Sequence, residues 1–353
     1  MKKVLVGMSG GVDSSVAALL LRDSGYEVTG CTLKLRADSD TAQGGCSTAK
    51  DIEDAAAVCK ILGIPHIVLP LRELFYEKVV TYFANEYING RTPNPCIECN
   101  KNIKFGAMLD YALAEGMDCI ATGHYADVRF NEETGRYQLR RAASAKDQSY
   151  VLYTLTQRQL AHVMFPVAGM EKPALRQIAK EANLPVHQKP DSQDICFVED
   201  GEHVNFLLRE FGVKPKSGNI IDRSGNILGV HDGIHNYTVG QRKGLGGGFS
   251  EPMYVIGLDA KSNSVIVGGK GSEYSDSLVC GGVNFISIAE LTGEMRAEVK
   301  IRYAAKPAPA TIRPLGGGLI QAEFDTPQRA VTPGQSAVFY AGDTVVGGGV
   351  ILR

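Results

Sequence analysis

No stretch of this chain approaches the roughly 18–20 consecutive apolar residues that a bilayer-spanning helix requires, which argues against a membrane protein. A secretory leader is not expected either, because Lys2 and Lys3 precede only a few apolar residues before a glycine-rich turn begins. Charge of one sign is missing too: 37 Lys and Arg against 39 Asp and Glu leave a formal net charge of −2. That excludes a uniformly basic nucleic-acid binder, so any RNA contact must come from a local patch. The eight cysteines have no regular spacing, which excludes a secreted disulfide framework and makes the cytosol the expected compartment. Neither a solenoid period nor a low-complexity tail is evident. What remains is ordinary for a soluble globular protein: 353 residues, 44% apolar and 22% charged, enough for two or three domains.

The most informative segment is Gly7-Met8-Ser9-Gly10-Gly11-Val12-Asp13-Ser14-Ser15. It follows the apolar run Val4-Leu5-Val6 and leads into Val16-Ala17-Ala18-Leu19-Leu20-Leu21, so it sits where a strand turns into a helix. Adjacent glycines let the backbone approach a ligand closely. Unbonded N–H groups at a helix start, reinforced by the macrodipole, favour a phosphate there. Ser9, Ser14 and Ser15 add hydroxyls, and Asp13 could orient the loop or help hold Mg²⁺. The Lys-Ser/Thr pair that closes a Walker loop is absent, and the nearest approach elsewhere, Gly269-Lys270-Gly271, lacks that pair as well.

Strand-like and helix-like segments alternate through the first part of the chain. The spacing predicts a helix ending at Gly25, a strand over 26–35, and a helix over 47–62 capped by Ser47 or Thr48 and stopped by Gly63. A strand at 64–69, helices at 71–88 and 102–115, and a strand at 119–122 follow. The expected fold class is therefore α/β, with a doubly wound parallel sheet binding its ligand at the carboxyl ends of the strands. Past Gly201, glycine-spaced short strands over 217–230 and 254–267 read as a small β-rich domain. From about 278, alternating segments such as 296–303 and 319–324 read as a C-terminal β-barrel. The expected domains are 1–200, 201–275 and 276–353.

A second informative stretch is Arg91-Thr92-Pro93-Asn94-Pro95-Cys96-Ile97-Glu98-Cys99-Asn100, a proline-stiffened loop with a C-x₂-C pair before a helix. A thiolate at a helix N-terminus is stabilised by the dipole, and Lys101 and Lys104 add positive potential. Alone, the pair reads equally as a metal half-site, a redox pair or two ordinary thiols. A third stretch, Lys189-Pro190-Asp191-Ser192-Gln193-Asp194-Ile195-Cys196-Phe197, places one more cysteine after a polar loop. Cys31, Cys59, Cys119 and Cys280 lie in apolar stretches and are assigned to packing; Cys46, beside two glycines, is undecided.

The order of these segments is specific. The Ser9–Ser15 loop, the 91–100 stretch with Lys104-Phe105, Ala121-Thr122-Gly123-His124-Tyr125, Lys146-Asp147-Gln148-Ser149-Tyr150 and Ile195-Cys196-Phe197 come in turn. Gly240-Gln241-Arg242-Lys243-Gly244-Leu245-Gly246 and Thr332-Pro333-Gly334-Gln335-Ser336-Ala337-Val338-Phe339-Tyr340 follow them. Together they resemble the tRNA-specific 2-thiouridylases (the MnmA/TrmU family) over nearly the whole chain. The first loop is similar to the pyrophosphate loop of adenine nucleotide alpha hydrolase-like enzymes, which split ATP between its α and β phosphates.

The resemblance implies ATP at Gly7, Met8, Ser9, Gly10, Gly11, Val12, Asp13 and Ser14, with Leu33 and Gly123 on the adenosine side and Mg²⁺ as the accompanying ion. It implies a tRNA wobble uridine flipped toward Asn94, Pro95 and Cys96 and adenylylated on O2. Cys196 would carry a persulfide delivered by a sulfur-carrier protein or cysteine desulfurase, and Cys99 would be its partner thiol, with a transient disulfide between them. Lys146, Asp147, Gln148, Arg302, Tyr303 and Gln335 would contact tRNA; His124 would face the site, as an RNA contact or satisfied locally. Glycines around Gln241-Arg242-Lys243 suggest a mobile loop over it.

One position departs from the family pattern, which has Asp where this chain has Cys96. Cys96, Cys99 and Cys196 then form a three-thiol set that could hold a [4Fe–4S] cluster with one open iron for sulfide. The competing expectation is persulfide chemistry with Cys96 as a base contact or bystander. Other classes compatible with the loop are an adenylating amide ligase or tRNA lysidine synthase, which have no use for Cys99 and Cys196, and a nucleotide sensor without catalysis.

Overall fold

The run Val4-Leu5-Val6 is the middle of a five-stranded parallel sheet, and all three side chains are fully buried. A strand covered on both faces needs apolar residues at every position, which is why it reads as a continuous run rather than an alternation. The computed structural model describes residues 1–36, 48–190, 195–198, 202–246 and 248–353. Cys46, Ser47 and the polar loop at 191–194 lie outside the described residues. The chain falls into two units: Met1–Val80, Pro95–Gly201 and Asp343–Val345 make one, and Thr81–Asn94, Glu202–Gly342 and Val346–Arg353 the other.

In the first unit the strands are β1 (Lys3–Gly7), β2 (Glu27–Lys34), β3 (His66–Pro70), β4 (Cys119–Ala121), the hairpin β5 (Ala126–Asn131) and β6 (Arg136–Arg141), and β7 (Val163–Met164). The parallel sheet has the order β3-β2-β1-β4-β7. The chain winds outward from β1 through β2 and β3, then returns to β1's other side as β4. The topological switch therefore lies between β1 and β4, where a crevice opens at the strands' carboxyl ends. Val4 and Val6 pack with Val16, Ala17 and Ala18 of the helix Val12–Asp23, Val58 and Cys59 of Ala49–Leu62, and Leu175 and Ala179 of Lys172–Glu181.

Thr48 caps the helix Ala49–Leu62. Its Oγ1 accepts from Asp51 N at 3.2 Å while Asp51 Oδ2 accepts from Thr48 N at 2.9 Å, a reciprocal capping box. Lys189 Nζ then donates to Asp51 Oδ1 at 2.8 Å and Asp54 Oδ2 at 2.7 Å. Burial pushes the Asp54 carboxyl up, but hydrogen bonds from Lys189 and Lys50 outweigh it and hold the group below its ordinary range.

Three features differ from the sequence reading. Helical turns begin at Pro95, not 102, running through Pro95–Cys99, a wider π-type segment Asn100–Ala107, and Met108–Ala114. Pro95 suits a first helical position because its missing N–H would be unbonded there anyway. The hairpin β5–β6 follows β4 directly, and the helix His203–Phe211 precedes the glycine-spaced strands, burying Phe206 and Leu207.

In the second unit, β8 (Gly218–Ile221), β9 (Ile227–His231), β10 (Tyr254–Asp259) and β11 (Ser264–Gly268) form a sheet of order β10-β11-β8-β9 around Ile220, Val255, Val265 and Val267. The strands β12 (Tyr274–Phe285), β13 (Met295–Lys300), β14 (Ala308–Gly316), β15 (Leu319–Arg329), β16 (Ser336–Ala341) and β17 (Thr344–Ile351) follow. They run in the order β12-β15-β14-β13-β16-β17, and pairing of β12 with β17 closes a six-stranded barrel over Leu278, Val299, Ile312, Phe324 and Phe339. Closure leaves these six strands no exposed edge.

Thr48→Ala removes one half of the capping box. It is expected to lower stability by about 1 kcal/mol, read as a shift in urea midpoint, with Thr48→Ser close to wild type.

Candidate active site

The glycine loop leaves β1 at Gly7 and is pinned to β2 at once. Met8 N donates to Cys31 O at 2.7 Å, and Thr32 Oγ1 donates to Met8 O at 3.0 Å. His66 Nε2 lies 2.8 Å from the same hydroxyl, so it must be the donor, and burial holds that imidazole below its usual pKa. Gly10 sits at φ +69°, and a Cβ there would lie 2.5 Å from Asp51 O, so only glycine fits against the start of Ala49–Leu62. Gly11 is the N-cap of Val12–Asp23 and supplies no side-chain cap. The leading amides of that helix are thus left to a ligand, as an anion site requires. Ser9 and Ser14 bond to each other, with Oγ atoms 3.1 Å apart, and Ser15 Oγ donates to Gly11 O at 2.7 Å.

Across the switch point, β4 delivers Thr122, Gly123 and His124 to the same place. A Cβ on Gly123 would lie 2.6 Å from Ser14 N, so this glycine lets β4's end abut the helix start. His124 Nδ1 lies 2.7 Å from Thr122 Oγ1, and its ring packs on Phe105 and Phe165. Burial, and secondarily the charge of Lys104, hold the imidazole well below its usual pKa, so it is neutral at physiological pH. Leu33 lies buried near the end of β2, the strand beside β1.

Asp13 is the loop's one carboxylate. Its Oδ1 accepts from Lys172 Nζ at 2.7 Å and from Tyr125 OH at 2.8 Å. The lysine side chain is only 11% exposed. The sequence reading missed Lys172: it lies 159 residues from Asp13, at the head of another helix, and no local pattern marks it.

Both thiols expected to carry chemistry belong to this unit. Cys99 is buried at the end of Pro95–Cys99, which packs against Tyr76–Val80. Phe197, next to Cys196, packs edge-on against Phe75 at 5.7 Å. Cys196 O accepts from Arg36 Nη1 at 3.3 Å, and Arg36 follows the end of β2. The segments that carry the two cysteines therefore both pack on one helical run, 72–80, which follows the carboxyl end of β3. Both are thiols here. By contrast, burial pushes Cys31 and Cys280 up to about 12 and Cys59 to about 11, which suits inert packing residues.

One expectation about cysteine is corrected. Cys96 and Cys99 lie within the helix rather than before it, so only Cys96 is in position to feel the leading amides. Among the described residues no three His, Cys, Asp or Glu side chains form a group that could hold a metal ion. Of the three thiols proposed for a [4Fe–4S] cluster, Cys96 is exposed, Cys99 is buried and Cys196 is half-buried.

The remaining candidates divide between the units. In the first, Lys146 is exposed, while Asp147 accepts from Ala142 N, Ser149 N and Ser149 Oγ, and Gln148 Oε1 accepts from Tyr125 N. Those two side chains hold their own loop. In the second, Tyr303 is exposed with Lys300 Nζ 5.4 Å from its ring centre, and Arg302 Nη1 donates to Arg329 O at 3.2 Å. Gln335 Nε2 donates to Thr92 O at 2.8 Å, and Thr92 N donates to Pro333 O, fixing the loop that leads to Asn94. Gln241 turns back on its own loop, with Oε1 accepting from Thr238 N and Nε2 donating to Lys243 O.

Because the His124 pKa is lowered on folding, the native state resists protonation that the unfolded chain accepts below about pH 6.5. Its contribution is full above that pH and is lost as pH falls. His124→Gln should flatten the stability profile between pH 7 and 5, measured by denaturant titration.

Three family descriptions match the chain: a tRNA methyl transferase HUP domain at residues 2–200, a tRNA methyl transferase PRC-barrel domain at 204–269, and an aminomethyltransferase β-barrel domain at 275–351. A tRNA-specific 2-thiouridylase MnmA of Acetivibrio thermocellus is 50% identical over 355 residues, covering 99% of each chain. Its counterpart in Clostridioides difficile is 50% identical over 355 residues, covering 100% of this chain and 98% of the relative. Another, MnmA 2 of Caldanaerobacter subterraneus, is 49% identical over 356 residues, covering 99% and 98%. With half its residues shared end to end, this chain belongs to the MnmA family of tRNA-specific 2-thiouridylases.

Proposed function

We propose that this protein replaces the C2 oxygen of the wobble uridine in tRNA with sulfur, at the expense of ATP. The observation that carries the reading is that one unit holds both an uncapped glycine-loop helix start at the sheet's switch point and two cysteine-bearing segments that pack on 72–80. A phosphate cradle alone suits any adenylating enzyme; the paired sulfurs are what a sulfur transfer adds. The relatives' names carry the same activity.

The triphosphate lies along Gly7–Ser14, with its adenosine toward Leu33 and Gly123. Asp13 is the carboxylate to hold Mg²⁺, whose chemistry is to neutralise charge on the departing pyrophosphate. Uridine O2 attacks the α-phosphorus; the Pα–O–Pβ bond breaks and pyrophosphate leaves with its electron pair. C2 then carries an adenylate, a far better leaving group than an oxo oxygen. Cys196 bears a persulfide supplied by a sulfur-carrier protein or cysteine desulfurase. Either its terminal sulfur attacks C2, or Cys99 thiolate attacks the inner sulfur, forming a Cys99–Cys196 disulfide and releasing hydrosulfide that attacks C2. AMP departs in both cases. In the first, Cys99 then attacks Cys196 Sγ and breaks its bond to the sulfur now on C2, which releases the thiouridine and forms the same disulfide. A thiol reductant restores the two cysteines. Neutral His124 is a hydrogen-bonding group at the cradle's edge rather than a cation. Asn94, Pro95 and Cys96 meet the extruded base, while Lys146, Arg302 and Tyr303 meet the tRNA backbone and unpaired bases.

Cys99→Ser and Cys196→Ser are each expected to lower 2-thiouridine formation at least about a thousandfold, by nucleoside mass spectrometry, while tRNA-dependent pyrophosphate release in a single turnover persists. Sulfur incorporation without AMP would sink the scheme, as would wild-type thiolation by both variants. Protein stripped of iron by a chelator and returned to Mg²⁺ buffer is expected to keep full thiolation with a persulfide donor; strict dependence on restored iron and sulfide would revive the cluster.

A further inference from the structure

The glycine loop has no lysine of its own, yet a cation reaches it. We propose that Lys172 is the phosphate-binding lysine of this cradle, held ready by Asp13 and released to the β- and γ-phosphates when the nucleotide arrives. The inference rests on the reading of this loop as an ATP site.

Three observations carry it. Lys172 Nζ lies 2.7 Å from Asp13 Oδ1, and Asp13 is in the first turn of the helix whose amides face the ligand. The side chain is 11% exposed against 28% for Asp13, so Lys172 is not a surface lysine making a chance ion pair. Leu175 and Ala179 of the same helix are buried in the core beneath Val12–Asp23, which fixes the lysine's origin.

A half-buried carboxylate beside an anion site would repel a polyphosphate unless something offset its charge. Lys172 does this in the structure, and Mg²⁺ can do so in the complex. Asp13 would hold the ion, and Lys172, relieved of the carboxylate, would exchange one anionic partner for another a short distance away. Tyr125 keeps its bond to Asp13 and holds the carboxylate's orientation during the exchange. As the Pα–O–Pβ bond breaks, Lys172 donates hydrogen bonds to the oxygens that gain charge, and no proton need leave the lysine. The loop lacks a Walker lysine because the same charge arrives from a distant helix, where it can favour the leaving pyrophosphate over the departing AMP.

The test compares wild type, Lys172→Met and Lys172→Arg in binding inorganic pyrophosphate with Mg²⁺, ATP with Mg²⁺, and AMP, each by calorimetry. Lys172→Met should weaken pyrophosphate and ATP by about tenfold to a hundredfold, leave AMP within about twofold, and slow tRNA-dependent pyrophosphate release. Lys172→Arg should restore part of the pyrophosphate affinity. Equal loss for AMP and pyrophosphate would mean that Lys172 only supports the fold, and unchanged pyrophosphate binding would mean that it stays on Asp13; either overturns the inference. If wild type itself binds neither ATP nor pyrophosphate, the reading of the loop fails instead.

Discussion

The structure depends on where unbonded backbone N–H groups are left. An α-helix cannot satisfy its first amides internally, and Gly11 gives the helix Val12–Asp23 no side-chain oxygen to do so. The sheet order places this open end between β1 and β4, where the chain reverses its winding direction. Gly10 and Gly123 then permit two neighbours, the start of Ala49–Leu62 and the end of β4, to close on the loop at distances no side chain would tolerate. The site is thus defined by backbone: side chains at Asp13, Lys172, Tyr125 and Thr32 hold the loop's shape and balance its charge.

Around that centre, reactivity is sorted by burial. Cys31, Cys59 and Cys280 lie inside apolar layers, where the thiolate is disfavoured and the sulfur behaves as a small hydrophobe. Cys196 is half-buried at the open side of the sheet, and Cys99 closes a short helix against Tyr76–Val80. The first group contributes packing and the second can contribute chemistry. The same sorting appears for histidine: His124 is kept neutral by aromatic neighbours and a nearby lysine, while His66 serves a hydrogen bond that anchors the loop.

Much of the fold was legible because its signals are local. The glycine loop, the strand runs, the Thr48 cap and the Gly63 stop each follow from a few adjacent residues, and the helix Ala49–Leu62 and strand Glu27–Lys34 match the reading within two residues. The closed barrel was legible from alternation and turn spacing. The hairpin Ala126–Arg141 and the helix His203–Phe211 were not read, because polar hairpin strands and a short amphipathic helix lack a strong period. The helix start at Pro95 was missed because Pro93 and Pro95 read as a loop, although Pro95 occupies the one helical turn that accepts proline.

By itself the sequence determined the class of chemistry: a phosphate loop without a Walker lysine, and cysteines set in polar, proline-bearing segments. Those are short-range properties, fixed by residue type and spacing. Only the tertiary structure decided which distant groups meet. It brought Lys172 and Tyr125 to one oxygen of Asp13, set Cys99 and Cys196 against a shared helical run, and turned Gln335 to the loop before Asn94. It also left Cys96 exposed and Cys99 buried. Pairings of this kind arise from sheet order and helix packing, which depend on the whole core and leave no trace in the spacing of the residues they join.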